Sequence, residues 1–107
     1  MLASISQCLE ASVRPYDRIY RYGGEEFLLY MPNTTMDVAV DLAERLRTAV
    51  ASKEIRVAGG GQVLQVTASF GVASLDAARS IEESIDRADK ALYQAKSGGR
   101  NRVETAP

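Results

Sequence analysis

A glycine pair followed by two glutamates, Gly23-Gly24-Glu25-Glu26, separates two short apolar segments of strand-like sequence. Two glycines between strands permit the positive backbone angles of a tight hairpin, and they leave no side chain to obstruct a molecule bound close to the backbone. Glu25 and Glu26 should therefore lie at or beside the tip. Paired carboxylates in such a turn suit Mg²⁺ chemistry on phosphates, because hard oxygen ligands bind the ion and the ion offsets phosphoryl charge. Taken alone, the same four residues also describe a solvated hairpin tip.

The hydrophobic periodicity around this turn predicts strands at Arg18–Tyr22 and Glu26–Met31, with a helix before them that ends near Pro15. The second strand is so continuously apolar that we expect both of its faces to be covered. It should lie near the centre of a sheet.

The remaining sequence predicts two more helices and two more strands. Thr34 with Asp37 resembles a capping box that opens a helix reaching about Ser52, and Ser80 with Glu83 opens another that ends at Gly98. Alternating residues predict a half-buried strand over Gln62–Ala73, and a short final strand is expected over Asn101–Glu104.

Composition limits the class of protein. A chain of 107 residues with 46% hydrophobic content fits one small domain. A net charge of −1 argues against a nucleic-acid surface, and no apolar run approaches the roughly 18 residues of a membrane span. A single cysteine, Cys8, excludes an internal disulfide, and the sequence has no histidine to act as a general base. With no signal peptide before the first helix, we expect a cytoplasmic protein.

Two motifs together resemble one protein family. Arg21–Phe27 resembles the signature of the GGDEF family of diguanylate cyclases in its Gly-Gly-Glu-Glu-Phe form, and Arg87–Val103 resembles the family's closing helix and loop. The resemblance extends over essentially the whole chain, in the expected order and separation. It implies an α+β fold of the nucleotidyl-cyclase or palm (ferredoxin-like) type, with helices packed on an antiparallel sheet.

The family pattern opens with a strand carrying a metal-binding Asp and a helix carrying a guanine-binding Asn, and neither precedes the helix that begins here at Leu2. We therefore expect residues 1–107 to form one GGDEF domain that is incomplete at its N-terminus. The absent strand lies between the predicted strands Glu26–Met31 and Gln62–Ala73, where buried unpaired backbone groups cost about 1–3 kcal/mol each. The two strands could close on each other, a second copy could supply a strand, or the chain could pair edge to edge with a partner. We favour a homodimer.

The resemblance also implies an active site. In the family, two GTP-loaded domains face each other, and the 3′-hydroxyl of each nucleotide attacks the α-phosphate of the other to give cyclic di-GMP and pyrophosphate. Lys96 and Arg100 match the positions that hold the triphosphate, although cations near a helix C-terminus also favour its dipole by about 0.3–1 kcal/mol. The turn supplies the other groups: Gly23 and Gly24 admit the nucleotide, Glu25 is a metal ligand for Mg²⁺, and Glu26 lies beside the reacting phosphate.

A second site is implied by Arg14 and Asp17, whose offset from the glycine turn matches the Arg-x-x-Asp inhibitory site that binds cyclic di-GMP in the family. Arg14 can grip a phosphate or a guanine edge in bidentate fashion, and Asp17 can accept a hydrogen bond from guanine. Arg45 matches a further arginine of that site. On its own, Arg-x-x-Asp usually forms a surface ion pair.

Two functional classes stay open, beside a third interpretation in which the chain is a fragment that only folds and self-associates. The first is a diguanylate cyclase whose catalysis is impaired, because Glu25 alone is a poor Mg²⁺ site and the other metal and guanine groups are absent. The second is a non-catalytic module that binds cyclic di-GMP at Arg14 and Asp17. Family members usually carry an N-terminal sensory domain, which we expect in a longer protein.

Overall fold

The computed structural model describes residues 7, 9–23, 26–53, 55–56, 63–75 and 77–107, which form helices and short strands in an α+β arrangement. Residues 7 and 9–12 are helical and are the described part of the first helix, α1. The elements that follow are β1 (Arg18–Gly23), β2 (Glu26–Tyr30), α2 (Met36–Ser52), β3 (Ile55–Arg56), β4 (Val63–Leu64), β5 (Phe70–Val72), α3 (Ile81–Ser97) and β6 (Val103–Thr105). Within these residues no helix has the length and apolar character needed to cross a membrane.

Side-chain caps determine where the two long helices begin. The hydroxyl of Ser80 accepts a hydrogen bond from the backbone N–H of Glu83 at 3.1 Å, as the sequence predicts. At the start of α2 the prediction is wrong by one residue, because Thr35 is the N-cap and accepts from the N–H of Val38. The Thr34 hydroxyl instead donates to the carbonyl of Pro32 at 2.9 Å.

Strand pairing within the described residues is confined to three separate pairs. β1 and β2 are antiparallel, β3 and β4 are antiparallel, and β5 and β6 are parallel. β2 and β5 share no hydrogen-bonded ladder in this part of the chain, so the closure of these two strands on each other is not what the structure adopts.

One face of α2 packs against two of these strand pairs, the β1–β2 hairpin and the β5–β6 pair. Leu42 and Leu46 form a buried cluster with Leu9 of α1, and Leu46 is fully inaccessible to solvent. Half-buried side chains from β1, β2 and β5 pack against this cluster, namely Ile19, Phe27, Leu29 and Phe70. The hairpin and β5 therefore lie on the same layer of helices although they are not paired with each other.

Two strand predictions are wrong in extent. The predicted strand Gln62–Ala73 is divided, since residues 65–69 have no ladder partner among the described residues and only β4 and β5 are paired. β2 is half-buried rather than covered on both faces, and its last residue, Tyr30, is exposed. The side chains of Tyr20 and Tyr22 on β1 are also about half exposed, at 52% and 51%.

Gly71 allows β5 to approach α3 more closely than any other residue would permit. A Cβ atom at this position would lie 2.2 Å from the carbonyl oxygen of Ala88 and 2.4 Å from the backbone nitrogen of Leu92. Both atoms belong to the helix backbone, so no side-chain rotation relieves the contact. Close packing of β5 on α3 thus depends on the missing side chain.

We predict that Gly71→Ala lowers the free energy of unfolding by about 1–3 kcal/mol, because strand and helix must separate to admit one methyl group. Gly98→Ala is the matched control and should lose less stability, since its Cβ would meet the movable guanidinium of Arg102 at 2.9 Å and the backbone oxygen of Gln94 only at 3.1 Å. Urea unfolding followed by circular dichroism measures both variants. Equal midpoints for Gly71→Ala and the unmutated protein would contradict the packing argument.

Candidate functional site

The β1–β2 hairpin brings the two flanks of the glycine turn together. Gly23 pairs with Glu26, and the register shifts between Arg21 and Gly23, which marks a bulge or irregularity just before the turn. Two residues, Gly24 and Glu25, connect the paired positions, as expected for a tight hairpin. Both lie outside the described residues. The predicted metal ligand Glu25 therefore stays a prediction.

Glu26 at the start of β2 contacts Lys96 in the last turn of α3. Their Oε1 and Nζ atoms are 3.5 Å apart, and the side chains are 42% and 37% exposed. Exposed ion pairs of this kind contribute only about 0–1 kcal/mol to stability. The contact therefore adds little to stability, and it joins two residues that the family resemblance assigns to the same predicted substrate site.

Negative charge accumulates around this contact. Partial burial, together with the charges of Glu26 and Asp86, raises the pKa of Asp89, whereas Lys96 acts in the opposite direction. No group of three or more histidine, cysteine, aspartate or glutamate side chains in the described part of the chain could hold a metal ion. These residues alone do not fit a complete metal centre, and the predicted ligand Glu25 lies outside them.

Arg100 lies just beyond the C-terminus of α3, one helical turn after Lys96. Its backbone N–H donates to the carbonyl of Ala95 at 2.9 Å, and the N–H of Gly98 donates to Gln94 at 2.8 Å, which satisfies carbonyls at the end of the helix. The structure therefore positions Lys96 and Arg100 at the same end of one helix.

Arg14 and Asp17 form a closely bonded pair before β1. The guanidinium donates from Nη2 to Oδ1 at 2.9 Å and from Nε to Oδ2 at 3.1 Å, and the backbone N–H of Arg14 donates to Oδ2 at 2.8 Å. The Asp17 side chain is fully buried, whereas that of Arg14 keeps 32% of its surface exposed. A ligand at this site would reach Arg14 directly, but it could reach the Asp17 carboxylate only after displacing Arg14.

Arg14 is also held by residues that sequence analysis did not associate with it. Its Nη2 donates to the hydroxyl of Thr34 and lies 3.4 Å from the carbonyl oxygen of Pro32, and its Cζ lies 4.8 Å from the centroid of the Tyr16 ring. Thr34 was visible in the sequence only as a helix cap. Nothing in the sequence indicated that the loop before α2 would reach back to Arg14.

The surroundings of Arg45 differ from those of Arg14 and Asp17. It is exposed on α2, where it lines a shallow depression with Glu44, Thr48 and Ala49. Arg14 and Asp17 line a different depression. The structure records no contact between Arg45 and the pair, so its place in a shared ligand site stays a prediction.

Comparison with known proteins connects these features to one family. The sequence profile described as "Diguanylate cyclase, GGDEF domain" matches residues 1–102. The chain is 42% identical over 106 residues to diguanylate cyclase DgcM of Escherichia coli strain K12, covering 99% of this chain and 25% of that protein.

Solved structures are similar in fold. The GGDEF domain of DgcB from Caulobacter crescentus, determined in complex with c-di-GMP, superposes with a TM-score of 0.93 at 31% identity, covering 98% of this chain and 62% of that one. The active GGEEF domain of a Vibrio cholerae diguanylate cyclase gives a TM-score of 0.85 at 29% identity, covering 99% and 66%. The chain thus spans a quarter of the curated relative and less than two thirds of the DgcB chain.

We predict that the stability of the protein depends on the charge of Asp17. Hydrogen bonds from Arg14 hold the pKa of the folded carboxyl below its usual range, while the unfolded pKa is about 3.9. The unfolded chain therefore binds more protons between these values, so the contribution is complete above about pH 5 and is lost as pH falls through the folded pKa. Asp17→Asn should lower the free energy of unfolding by about 1.5–3 kcal/mol at pH 7.

Urea unfolding at pH 7 and at pH 3 tests this expectation. The difference between the unmutated protein and Asp17→Asn should shrink at the lower pH, whereas Asp41→Asn, which changes an exposed carboxylate on α2, should follow the unmutated protein at both. A difference that is the same at both pH values would refute the assignment.

Proposed function

Because this chain belongs to the GGDEF family of diguanylate cyclase domains, we propose that it binds GTP at the end of α3, beside the glycine turn. The observation that carries the proposal is the contact between Lys96 and Glu26, which brings the last turn of the helix to the flank of that turn. Lys96 and Arg100 hold the triphosphate. Gly23 and Gly24 admit the nucleotide close to the backbone.

The proposed reaction joins two GTP molecules bound by two copies of the domain. Each 3′-hydroxyl gives its proton to solvent water and its oxygen bonds to the α-phosphorus of the other nucleotide. The bond from that phosphorus to the bridging oxygen breaks and releases pyrophosphate. Positioning of the two nucleotides supplies much of the acceleration. A homodimer provides this arrangement, and the proposal therefore includes a pairing of two chains.

Glu25, together with the phosphates of GTP, would hold Mg²⁺ in this proposal, and the bound ion would offset charge on the phosphoryl group. Glu26 lies beside the same phosphate and gives up Lys96 to it when GTP binds. The described residues offer too few carboxylates for a metal centre of their own. We propose that catalysis by this polypeptide alone is impaired because Glu25 alone is a poor Mg²⁺ site, and that binding of GTP is its more robust activity.

Replacement of both Lys96 and Arg100 by alanine should weaken the binding of a fluorescent GTP analogue at least about tenfold, because two charge-assisted phosphate contacts are lost. The control replaces Arg87 and Lys90, which removes the same charge from earlier turns of α3. Fluorescence anisotropy in the presence of Mg²⁺ measures all three proteins.

Equal affinity of the double variant and the unmutated protein would contradict the phosphate contacts and would leave Lys96 and Arg100 a role only at the helix C-terminus. Mass spectrometry of the protein incubated with GTP and Mg²⁺ tests the proposed catalytic impairment by detecting cyclic di-GMP. Rapid formation of cyclic di-GMP that Glu25→Ala abolishes would contradict the proposed impairment while supporting the site.

A second candidate function, binding of cyclic di-GMP, is favoured by the partly exposed Arg14 and the adjoining Tyr16 ring. The exposed part of the guanidinium faces solvent, where it can meet a phosphate or a guanine edge. The similar DgcB domain was determined in complex with c-di-GMP, which supports the same ligand here. Asp17 serves in this proposal to orient Arg14, and Arg45 provides a further contact from a partner or after rearrangement.

Titration calorimetry with cyclic di-GMP should show saturable binding, and Arg14→Lys should lower the affinity at least about tenfold. Lysine keeps the positive charge beside Asp17 but lacks the planar, forked guanidinium. Arg79→Ala, on the turn before α3, serves as the control and should bind as the unmutated protein does. The same heat from Arg14→Lys and the unmutated protein would remove Arg14 from the binding site.

A further inference from the structure

The loop that carries Arg100 has an unusual backbone. Gly99, Arg100 and Asn101 have φ angles of 123°, 63° and 48°, so three consecutive residues are left-handed. Glycine adopts this region freely and asparagine tolerates it, but arginine does so at a cost in conformational energy. A backbone of this kind persists only where its surroundings hold it, and such places cluster at ligand-binding sites.

Two side chains from distant parts of the chain hold this loop. Arg47 of α2 donates from Nη1 to Oδ1 of Asn101 at 3.1 Å, across 54 positions of sequence. The hydroxyl of Ser69, next to β5, accepts from the backbone N–H of Asn101 at 3.1 Å. Asn101 is therefore bonded on its side chain by α2 and on its backbone by the segment that leads into β5. Arg100 lies between this anchor and its own bond to Ala95.

Arg47 is itself held in one orientation. Its Nε and Nη2 donate to Oε2 of Glu44 at 3.1 and 2.9 Å, which leaves Nη1 directed to Asn101. The Arg47 side chain is only 25% exposed. A planar guanidinium can bond a carboxylate on one edge and an amide oxygen on another, which the single ammonium of a lysine does less well.

We propose that Arg47, acting through Asn101, is a positioning residue that fixes Arg100 for the triphosphate of GTP. The inference rests on the proposed function, in which Arg100 contacts that triphosphate. Arg47 does not touch the nucleotide in this scheme. It keeps the left-handed loop in the binding conformation before the ligand arrives, so that less conformational freedom is lost on binding.

The test measures the affinity of a fluorescent GTP analogue for Arg47→Ala, Arg100→Ala and the variant carrying both changes. We expect Arg47→Ala to weaken binding by about threefold to tenfold and Arg100→Ala to weaken it more. The double variant should bind no more weakly than Arg100→Ala, because residues that act through one another are not additive. Lys90→Ala, an exposed cation paired with Asp86 on α3, is the charge-matched control and should leave binding unchanged.

Asn101→Gly provides an independent variant should Arg47→Ala fold poorly, because glycine accepts the left-handed backbone and removes the acceptor of the Arg47 bond. Glycine also adds backbone freedom, so the comparison with Arg47→Ala decides whether the lost bond is responsible. It should weaken GTP binding to a similar extent as Arg47→Ala, and the two changes together should not add. GMP, which lacks the β- and γ-phosphates, should be bound equally by all of these proteins.

The outcomes separate the two claims. A weakened Arg100→Ala with an unaffected Arg47→Ala, or effects that add fully in the double variant, would overturn the positioning role and leave the proposed function standing. An unaffected Arg100→Ala, or no saturable GTP binding by the unmutated protein, would overturn the proposed phosphate contact and the positioning role together.

Discussion

Burial of one face of α2 is the interaction on which the rest of the structure depends. Side chains from the hairpin and from β5 pack against the cluster that contains Leu42 and Leu46, while the strands themselves form separate pairs among the described residues. A fully buried leucine side chain contributes about 1.5–3 kcal/mol. Packing on α2, rather than a continuous sheet, therefore relates the hairpin that carries Glu26 to β5. β5 in turn packs closely on α3, the helix that carries Lys96.

The two candidate sites differ in how firmly their charges are already paired. Asp17 is buried and bonded to Arg14 by both of its oxygens, so this pair contributes to folding whether or not a ligand binds. Glu26 and Lys96 form a longer and more exposed contact. If GTP binds as proposed, its phosphate would replace a weakly held carboxylate at Lys96, whereas a ligand at Arg14 would bind beside an ion pair that is already formed.

The sequence predicted much of this architecture, and its failures have physical causes. Local signals were sufficient for the hairpin around the glycine turn and for the cap at Ser80, because turn chemistry and capping depend on neighbouring residues. The extent of a strand was predicted less well, since periodicity does not reveal whether residues 65–69 find a partner. The family resemblance supplied the predicted site residues, which stay a prediction. The contacts of Arg14 with Thr34 and of Arg47 with Asn101 join residues far apart in sequence. No local pattern predicts such contacts.

The parallel pairing of β5 and β6 gives the loop after α3 a second role. Parallel neighbours require a crossover, and here α3 is the crossover and residues 98–102 complete it. Phe70 and Arg102 are joined by a backbone hydrogen bond of 2.9 Å at the point where the loop enters the pair. The residues that would receive a triphosphate are thus also the ones that close this supersecondary unit. By thermodynamic linkage, any anion that binds Arg100 only in the folded form would strengthen the attachment of β6.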